Sequence, residues 1–192
     1  LKDALQQGTK IAVQQLGKPG GFSGNPEVKI ELPGNIGKAA STMKMMGMGS
    51  QIEQLETSMN LAAEAAVPQA QALLLSAVQK MTVQDAKSIL TGPDDAATQY
   101  LNKTSREQLR VQFLPIVKQA TDKVGLAQQY NSLAGQATKF GVVDSKNANI
   151  ENYVTEQTLD GLFVIIAEQE QSIRKNPAKA ATSLAKKVFS LQ

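Results

Sequence analysis

The chain has 192 residues, of which 42% are hydrophobic, 19% charged and 4% aromatic, and its formal net charge is +3. It contains no Cys, no His and no Trp, which excludes a thiolate nucleophile, an imidazole base, a Cys/His zinc centre and a Ser-His-Asp triad. No catalytic residue, metal or cofactor is therefore assigned, and any chemistry would rest on carboxylates, Lys, Tyr, Ser or Thr. A chain of this length buries roughly 70% of its unfolded surface and needs no disulfide, so one domain over residues 1–192 is expected. Ala, Leu, Gln and Lys fill the sequence while β-branched and aromatic residues are sparse, which favours helices over sheet.

Leu1, Leu5, Ala12 and Leu16 share one face and predict a helix over 1–16, stopped by Gly17 and Pro19. "GKPGGFSGNPEVKIELPG" (17–34) reads as a long Gly/Pro-rich loop. Within it Val28, Ile30 and Leu32 alternate with charged residues, the period of an extended segment. The preferred reading is that it lies on the helices; the alternative is half of a dimeric strand pair. A short Met-rich helix is expected over 35–46. Met43, Met45, Met46 and Met48 cover more than one face of it, so they are candidates for contact with a partner, Met being an adaptable apolar side chain. Met59 extends the same set.

Ser50 with Glu53 predicts a capped helix from Gln51, broken near Ala66 by Pro68 and resuming through Leu73, Leu74, Ala77 and Met81. Thr82 with Asp85 opens a short helix to Leu90. After "TGP" (91–93) come a short helix over 94–103 and a longer one over 106–124, with Leu109, Phe113, Ile116, Val117, Ala120 and Val124 inward and a kink at Pro115. Further helices are expected over 126–140, over 150–175 with Tyr153, Val154, Leu162, Ile165, Ile166, Gln169 and Ile173 inward, and after Pro177. The fold expected is all-α, a single domain of about eight helices, several of them short. No apolar run approaches the ~20 residues of a membrane span; "LFVIIA" (162–167) reads as a buried stretch.

The stretch "SILTGPDDAATQYLNKTS" (88–105) is the most informative. Gly92 suits a left-handed helix stop, and Asp94 or Asp95 suits the cap of the helix that follows. Asp94, Asp95, Thr91 and Thr98 also offer oxygens to a small polar ligand, but they are too few to cage a hard cation by themselves. Other motifs are weaker. Ser41/Lys44 and Ser183/Lys186 fit S-x-x-K without its companion motifs. "DSKNANIEN" (144–152) lacks the Gly and Glu of a calcium loop, and "GMGS" lacks the strand and Lys of a phosphate loop. Glu64 and Asp160, set in apolar runs, read as carboxylates at a solvent edge.

Charge is unevenly spread: Arg174, Lys175, Lys179, Lys186 and Lys187 close the chain without an acid among them. The preferred reading is that these cations complement helix C-termini and keep the surface soluble; the alternative is that the tail meets phosphates or anionic lipid as a peripheral membrane contact. Without aromatic or Arg clusters it predicts no nucleic-acid partner.

"NPEVKIELP" (25–33), "AAEAAVPQAQ" (62–71), "ILTGPDDAATQYLNKTS" (89–105), "FLPIVKQATDKVGL" (113–126) and "LDGLFVIIAEQEQSIRKNP" (159–177) together resemble the bacterial family catalogued as domain of unknown function 4197. The resemblance spans essentially the whole chain in order. Pro93 departs from it where a second Gly is frequent, and Glu31 where a Pro is common. The family has no assigned activity, and its members are typically exported proteins of Gram-negative bacteria that carry a signal or lipoprotein signal. The resemblance thus implies a periplasmic or outer-membrane-attached location, with a leader ahead of Leu1 removed. The expected role is a non-enzymatic binding or interaction module for an unknown protein or small polar ligand. The alternative is a carboxylate-based hydrolase of cell-envelope polymers.

Overall fold

The computed structural model describes residues 1–32, 45, 47, 49–123, 128 and 150–175. These form α1 (Lys2–Gly17), α2 (Gly49–Ala66), a 3-10 turn (Val67–Gln69), α3 (Ala70–Gln79), α4 (Val83–Thr91), α5 (Ala96–Lys123) and α6 (Ile150–Lys175). Because α2, the turn and α3 run on without a break, the described residues make five helical rods rather than about eight helices. Two expected junctions do not separate helices. Pro68 is the second residue of the 3-10 turn, where its missing N–H costs little, and α5 runs unbroken through Ser105 and through the exposed Pro115. Apart from Met45 and Gln128, the helices expected over 35–46, over 126–140 and after Pro177 lie outside the described residues, as do Ser41, Lys44, Ser183, Lys186 and residues 144–149. α2 begins one residue before Ser50.

The inward faces follow helical periodicity. Leu5, Ala12, Val13 and Leu16 of α1 join Ile52, Leu55, Met59 and Ala63 of α2, and Leu74 and Val78 of α3. Leu101, Leu109, Phe113 and Val117 of α5 meet Val154, Leu159, Leu162, Ile165 and Ile166 of α6 in the same contiguous cluster. Met59 is therefore core, not part of a partner surface. By length and composition alone the rod Ile52–Gln79 could cross a membrane. Its apolar side, however, is the one turned into this core.

The Gly/Pro-rich loop folds over the helices, and the described part of it, residues 18–32, contains no strand. Phe22, Val28, Ile30 and Leu32 are buried, as the alternation predicts for a segment lying on helices. Turns within residues 18–29 satisfy part of its backbone, the Asn25 carbonyl accepting the Val28 and Lys29 N–H groups; at Ile30 the backbone needs partners that a sheet would normally give, and Asn60 of α2 supplies them. The Asn60 Oδ1 accepts the Ile30 N–H at 2.8 Å, and its Nδ2 donates to the Ile30 carbonyl at 2.9 Å and to the Glu56 carbonyl at 2.7 Å. Next to this pair, the Tyr153 hydroxyl of α6 donates to the Glu31 carbonyl at 2.5 Å. Burial first, then Glu31 and Glu56, pushes that phenol up to about 12, so it remains a donor. The loop rests on Gly161 of α6, where a Cβ would sit 2.9 Å from the Phe22 ring and 3.2 Å from Val28. Gly21 is fixed by space as well, since a Cβ there would meet the Leu16 carbonyl oxygen at 2.4 Å.

Glu64 corrects the expectation of a solvated carboxylate: it is 5% exposed. Its Oε1 accepts the Phe22 N–H at 3.4 Å, beneath the loop. Asp160 conforms to that expectation and lies on the exposed side of α6.

Replacing Asn60 by Ala leaves the Ile30 N–H and carbonyl buried without partners, at about 1–3 kcal/mol for each group. Urea unfolding should therefore register a loss of roughly 2–6 kcal/mol for Asn60→Ala. A loss below about 1 kcal/mol would mean that the loop is held by its apolar side chains alone.

Candidate functional site

The 88–105 stretch is the junction between α4 and α5, and α6 closes it. The Thr82 hydroxyl accepts the Asp85 N–H while the Asp85 carboxylate accepts the Thr82 N–H, both at 3.0 Å, so α4 starts on the expected capping box. It ends at Gly92, which is not left-handed: its φ is −84° and its ψ −175°. Glycine is needed there for space, because a Cβ would lie 2.9 Å from both the Ala96 Cβ and the Ser88 carbonyl oxygen.

The first turn of α5 leaves N–H groups that need an acceptor. Asp94 and Asp95 do not receive those of Ala97 and Thr98. Glu170, about 70 positions later on α6, accepts Ala97 N–H on Oε2 and Thr98 N–H on Oε1, each at 2.9 Å, and the Thr98 hydroxyl on Oε1 at 2.8 Å. Arg174, one turn further along α6, donates to Glu170 Oε2 from Nε at 3.1 Å and from Nη2 at 3.0 Å. The same guanidinium reaches the Ile89 carbonyl at 2.8 Å, in the last turn of α4. Both side chains are almost fully buried, at 2% and 7% exposure. One ion pair thus caps the start of one helix and the end of another, each charge facing the helix dipole that suits it. Arg174 is accordingly a buried structural charge and not part of a free basic tail.

The four candidate ligand residues divide. The Thr91 hydroxyl donates to the Lys87 carbonyl of its own helix at 3.0 Å, and Asp94 is exposed. Asp95 and Thr98 come together on a groove of about 360 Å³ between α5 and α6. Gln99, Asn102 and Arg106 continue its α5 wall, and Asp160, Phe163, Val164 and Ala167 form the α6 side. Its polar groups largely satisfy one another: Thr98 holds Glu170, and Gln99 donates to Asp95 at 2.8 Å. Arg106 bonds Asp160 and Glu156, each at 2.7 Å, and Arg110 bridges Glu156 and Glu107. Burial would raise the Glu156 carboxyl, but the bonds from Arg110 and Arg106 outweigh it and hold that group below its usual range. Of the methionine set, Met45 is 88% exposed, while Met43, Met46 and Met48 lie outside the described residues.

The sequence reading missed three features. Glu170 and Arg174 are the first, and an acid four residues before an Arg on one helix face was their only signal. The second is a carboxylate pair, Glu168 of α6 with Glu27 of the loop. Their hydrogen bond, then burial, then the Glu27 charge, raises the Glu168 carboxyl above its ordinary value. The third is a second groove, on the opposite side of α5. Among the described residues no three acidic groups converge on a common point as a metal site would require.

The architecture is that of an all-helical protein whose 25–32 segment is held by side chains and whose central junction is clamped by one buried ion pair. A family model described as "Protein of unknown function (DUF4197)" matches residues 1–190, and the chain belongs to that family. No curated protein and no solved structure matches it.

Removing one partner of a buried ion pair leaves the other charge uncompensated, at about 3–5 kcal/mol. Glu170→Ala should cost about that much in chemical denaturation, whereas Asp94→Ala at its exposed position should stay within about 0.5 kcal/mol. The reverse ranking would return the cap to Asp94.

The Glu168 pair gives a pH dependence of definite sign. A carboxyl raised in the folded state contributes stability that is present below the unfolded value of 4.5 and is lost as the pH rises through the folded value. Glu168→Gln keeps a donor toward Glu27 without the second charge. Its melting temperature should therefore exceed that of the wild type at neutral pH, and the gap should close as the pH falls below the carboxylate range. A gap of equal size at both ends would contradict the shared proton.

Proposed function

We propose that the protein is an exported component of the bacterial envelope, periplasmic or attached to the outer membrane, that acts as a non-enzymatic binding or interaction module. The observation that carries this reading is the surface on either side of α5: grooves whose polar groups are hydroxyls, carboxamides and charges that, Lys80 apart, are already bonded. Such surfaces suit recognition of a ligand, and they offer no activated nucleophile of the Ser-His or Cys-His kind, since the chain has no His and no Cys. The envelope location rests on the family resemblance.

One observation favours a second reading, a carboxylate-based hydrolase of envelope polymers: a raised carboxyl is what a general acid requires, and Glu168 carries one beside Glu27. The pair is in direct hydrogen-bond contact, whereas paired glycosidase carboxylates stand about 5 Å or more apart. That spacing weighs against this reading.

Co-sedimentation of the purified protein with cell-wall and outer-membrane fractions separates the two. The binding module should be retained on one fraction while no soluble fragments accumulate. Release of fragments that disappears with Glu168→Gln would establish the hydrolase instead, and absence of retention on either fraction would contradict the binding module.

A further inference from the structure

The groove on the far side of α5 differs in chemistry from the one that holds the sequence candidates. It lies between α3 and α5 and has a volume of about 550 Å³, within the range of about 300–1,000 Å³ typical of small-molecule sites. Tyr100, Thr104, Gln108 and Gln112 form its α5 wall, a stripe repeating at every fourth residue as neighbours on one helical face do. From α3 come Leu73, Ser76 and Ala77, and Lys80 stands just beyond the end of that helix.

The polar groups of this groove are only partly consumed by internal bonds: the Thr104 hydroxyl donates to the Tyr100 carbonyl at 2.8 Å, while others are open. Ser76, Gln108 and Gln112 make no side-chain hydrogen bond to another described residue, unlike Thr98, Asp95 and Arg106 in the opposite groove. Ser105, 1% exposed, also lines the wall, and its hydroxyl meets only the Thr104 Oγ1 at 3.5 Å. The Tyr100 hydroxyl points to Asp85 at 3.5 Å. Burial first, then the Asp85 charge, raises that phenol, so it stays neutral.

The donor set selects the ligand class. Hydroxyls and carboxamides donate and accept alike, matching a ligand whose own groups are hydroxyls. A phosphate or carboxylate ligand calls for several fixed cationic donors, and Lys80 is the one cation among the described residues of the lining. A purely apolar ligand would cover the Ser76 hydroxyl without offering it a partner, which disfavours that class. Leu73, Ala77 and the Tyr100 ring give an apolar surface for the carbon face of a sugar ring.

We propose that the groove between α3 and α5 binds a neutral polyhydroxylated ligand, a short saccharide, through Ser76, Gln108 and Gln112, with Leu73, Ala77 and Tyr100 against its apolar face. This rests on the binding-module reading and gives that module a site and a ligand class.

The test is a titration of the isotope-labelled protein with cellotriose, chitotriose and maltotriose, each to about 10 mM, a range that detects dissociation constants of about a millimolar. At least one trisaccharide should give saturable amide shifts centred on residues 76, 100, 104, 108 and 112. The double variant Gln108→Ala/Gln112→Ala, altered at two exposed positions, should keep its melting temperature and lose roughly tenfold in affinity. Saturable shifts that map instead onto the α5–α6 groove would overturn this site and leave the module reading intact. Shifts from inorganic phosphate at these residues without any from a saccharide would overturn the ligand class. No saturable shift with any trisaccharide would overturn the proposal; if retention on envelope fractions persists, the failure lies with the ligand class, and if retention is absent too, it lies with the module reading.

Discussion

The ion pair between Glu170 and Arg174 is the contact on which the arrangement of the helices depends. Two charges buried to this degree are expensive unless every lone pair and donor is met. Here the carboxylate takes two backbone N–H groups, one hydroxyl and two guanidinium bonds. The guanidinium also serves the Ile89 carbonyl. The consequence is geometric as much as energetic. The C-terminal half of α6 is fixed against the point where α4 ends and α5 begins, so the crossing of α5 over α6 is determined at one end. The ladder from Arg106 and Arg110 to Glu156 and Asp160 then continues the contact along the two helices. These partly exposed pairs set register more than stability.

A second constraint acts on the irregular segment. The Gly/Pro-rich segment closes its own turns as far as Lys29, whose N–H donates to the Asn25 carbonyl, but burying Ile30 and Leu32 beyond it would be costly without acceptors and donors beneath them. Asn60 presents a carboxamide in the manner of a neighbouring strand, and Tyr153 closes the next carbonyl. Gly161 lets the loop approach α6 closely enough for Phe22 and Val28 to join the core. Together the clamp and the loop leave α5 with two open flanks. On one flank the polar groups are largely paired with each other, and on the other Ser76, Gln108 and Gln112 make no side-chain hydrogen bond to another described residue.

Much of this was legible in the sequence, and the remainder was hidden for physical reasons. The inward faces of α1, α5 and α6 followed from apolar periodicity, because burial of a stripe is a local pattern. Thr82 and Asp85 announced the start of α4 for the same reason, a cap being readable within four residues. The alternation at Val28, Ile30 and Leu32 correctly implied burial of a segment lying on helices. What could not be read was any interaction joining distant positions. Asp94 and Asp95 have the composition of a cap, yet the Ala97 and Thr98 N–H groups go to Glu170, which nothing nearby in the chain predicts. Gly92 suggested a left-handed stop, but it is glycine because Ala96 and Ser88 leave no room. Glu64 looked solvated because its neighbours say nothing of the loop that covers it. The candidate ligand residues were half assembled: Asp95 and Thr98 share a groove, Thr91 and Asp94 do not join them, and the methionine proposal retains only Met45 among the described residues.

For function, the account makes the 88–105 junction a structural hinge point of the fold and moves ligand recognition to the flanks of α5. That claim depends on Glu170 capping α5, and native-state amide hydrogen exchange of Ala97 and Thr98 tests it most directly. Uncapped N–H groups in the first turn of a helix face solvent and exchange quickly. If Glu170 holds them, both amides should exchange only through global unfolding, as slowly as those at the centre of α6. Exchange as fast as that of exposed loop amides would contradict the clamp and with it the assignment of the junction to structure.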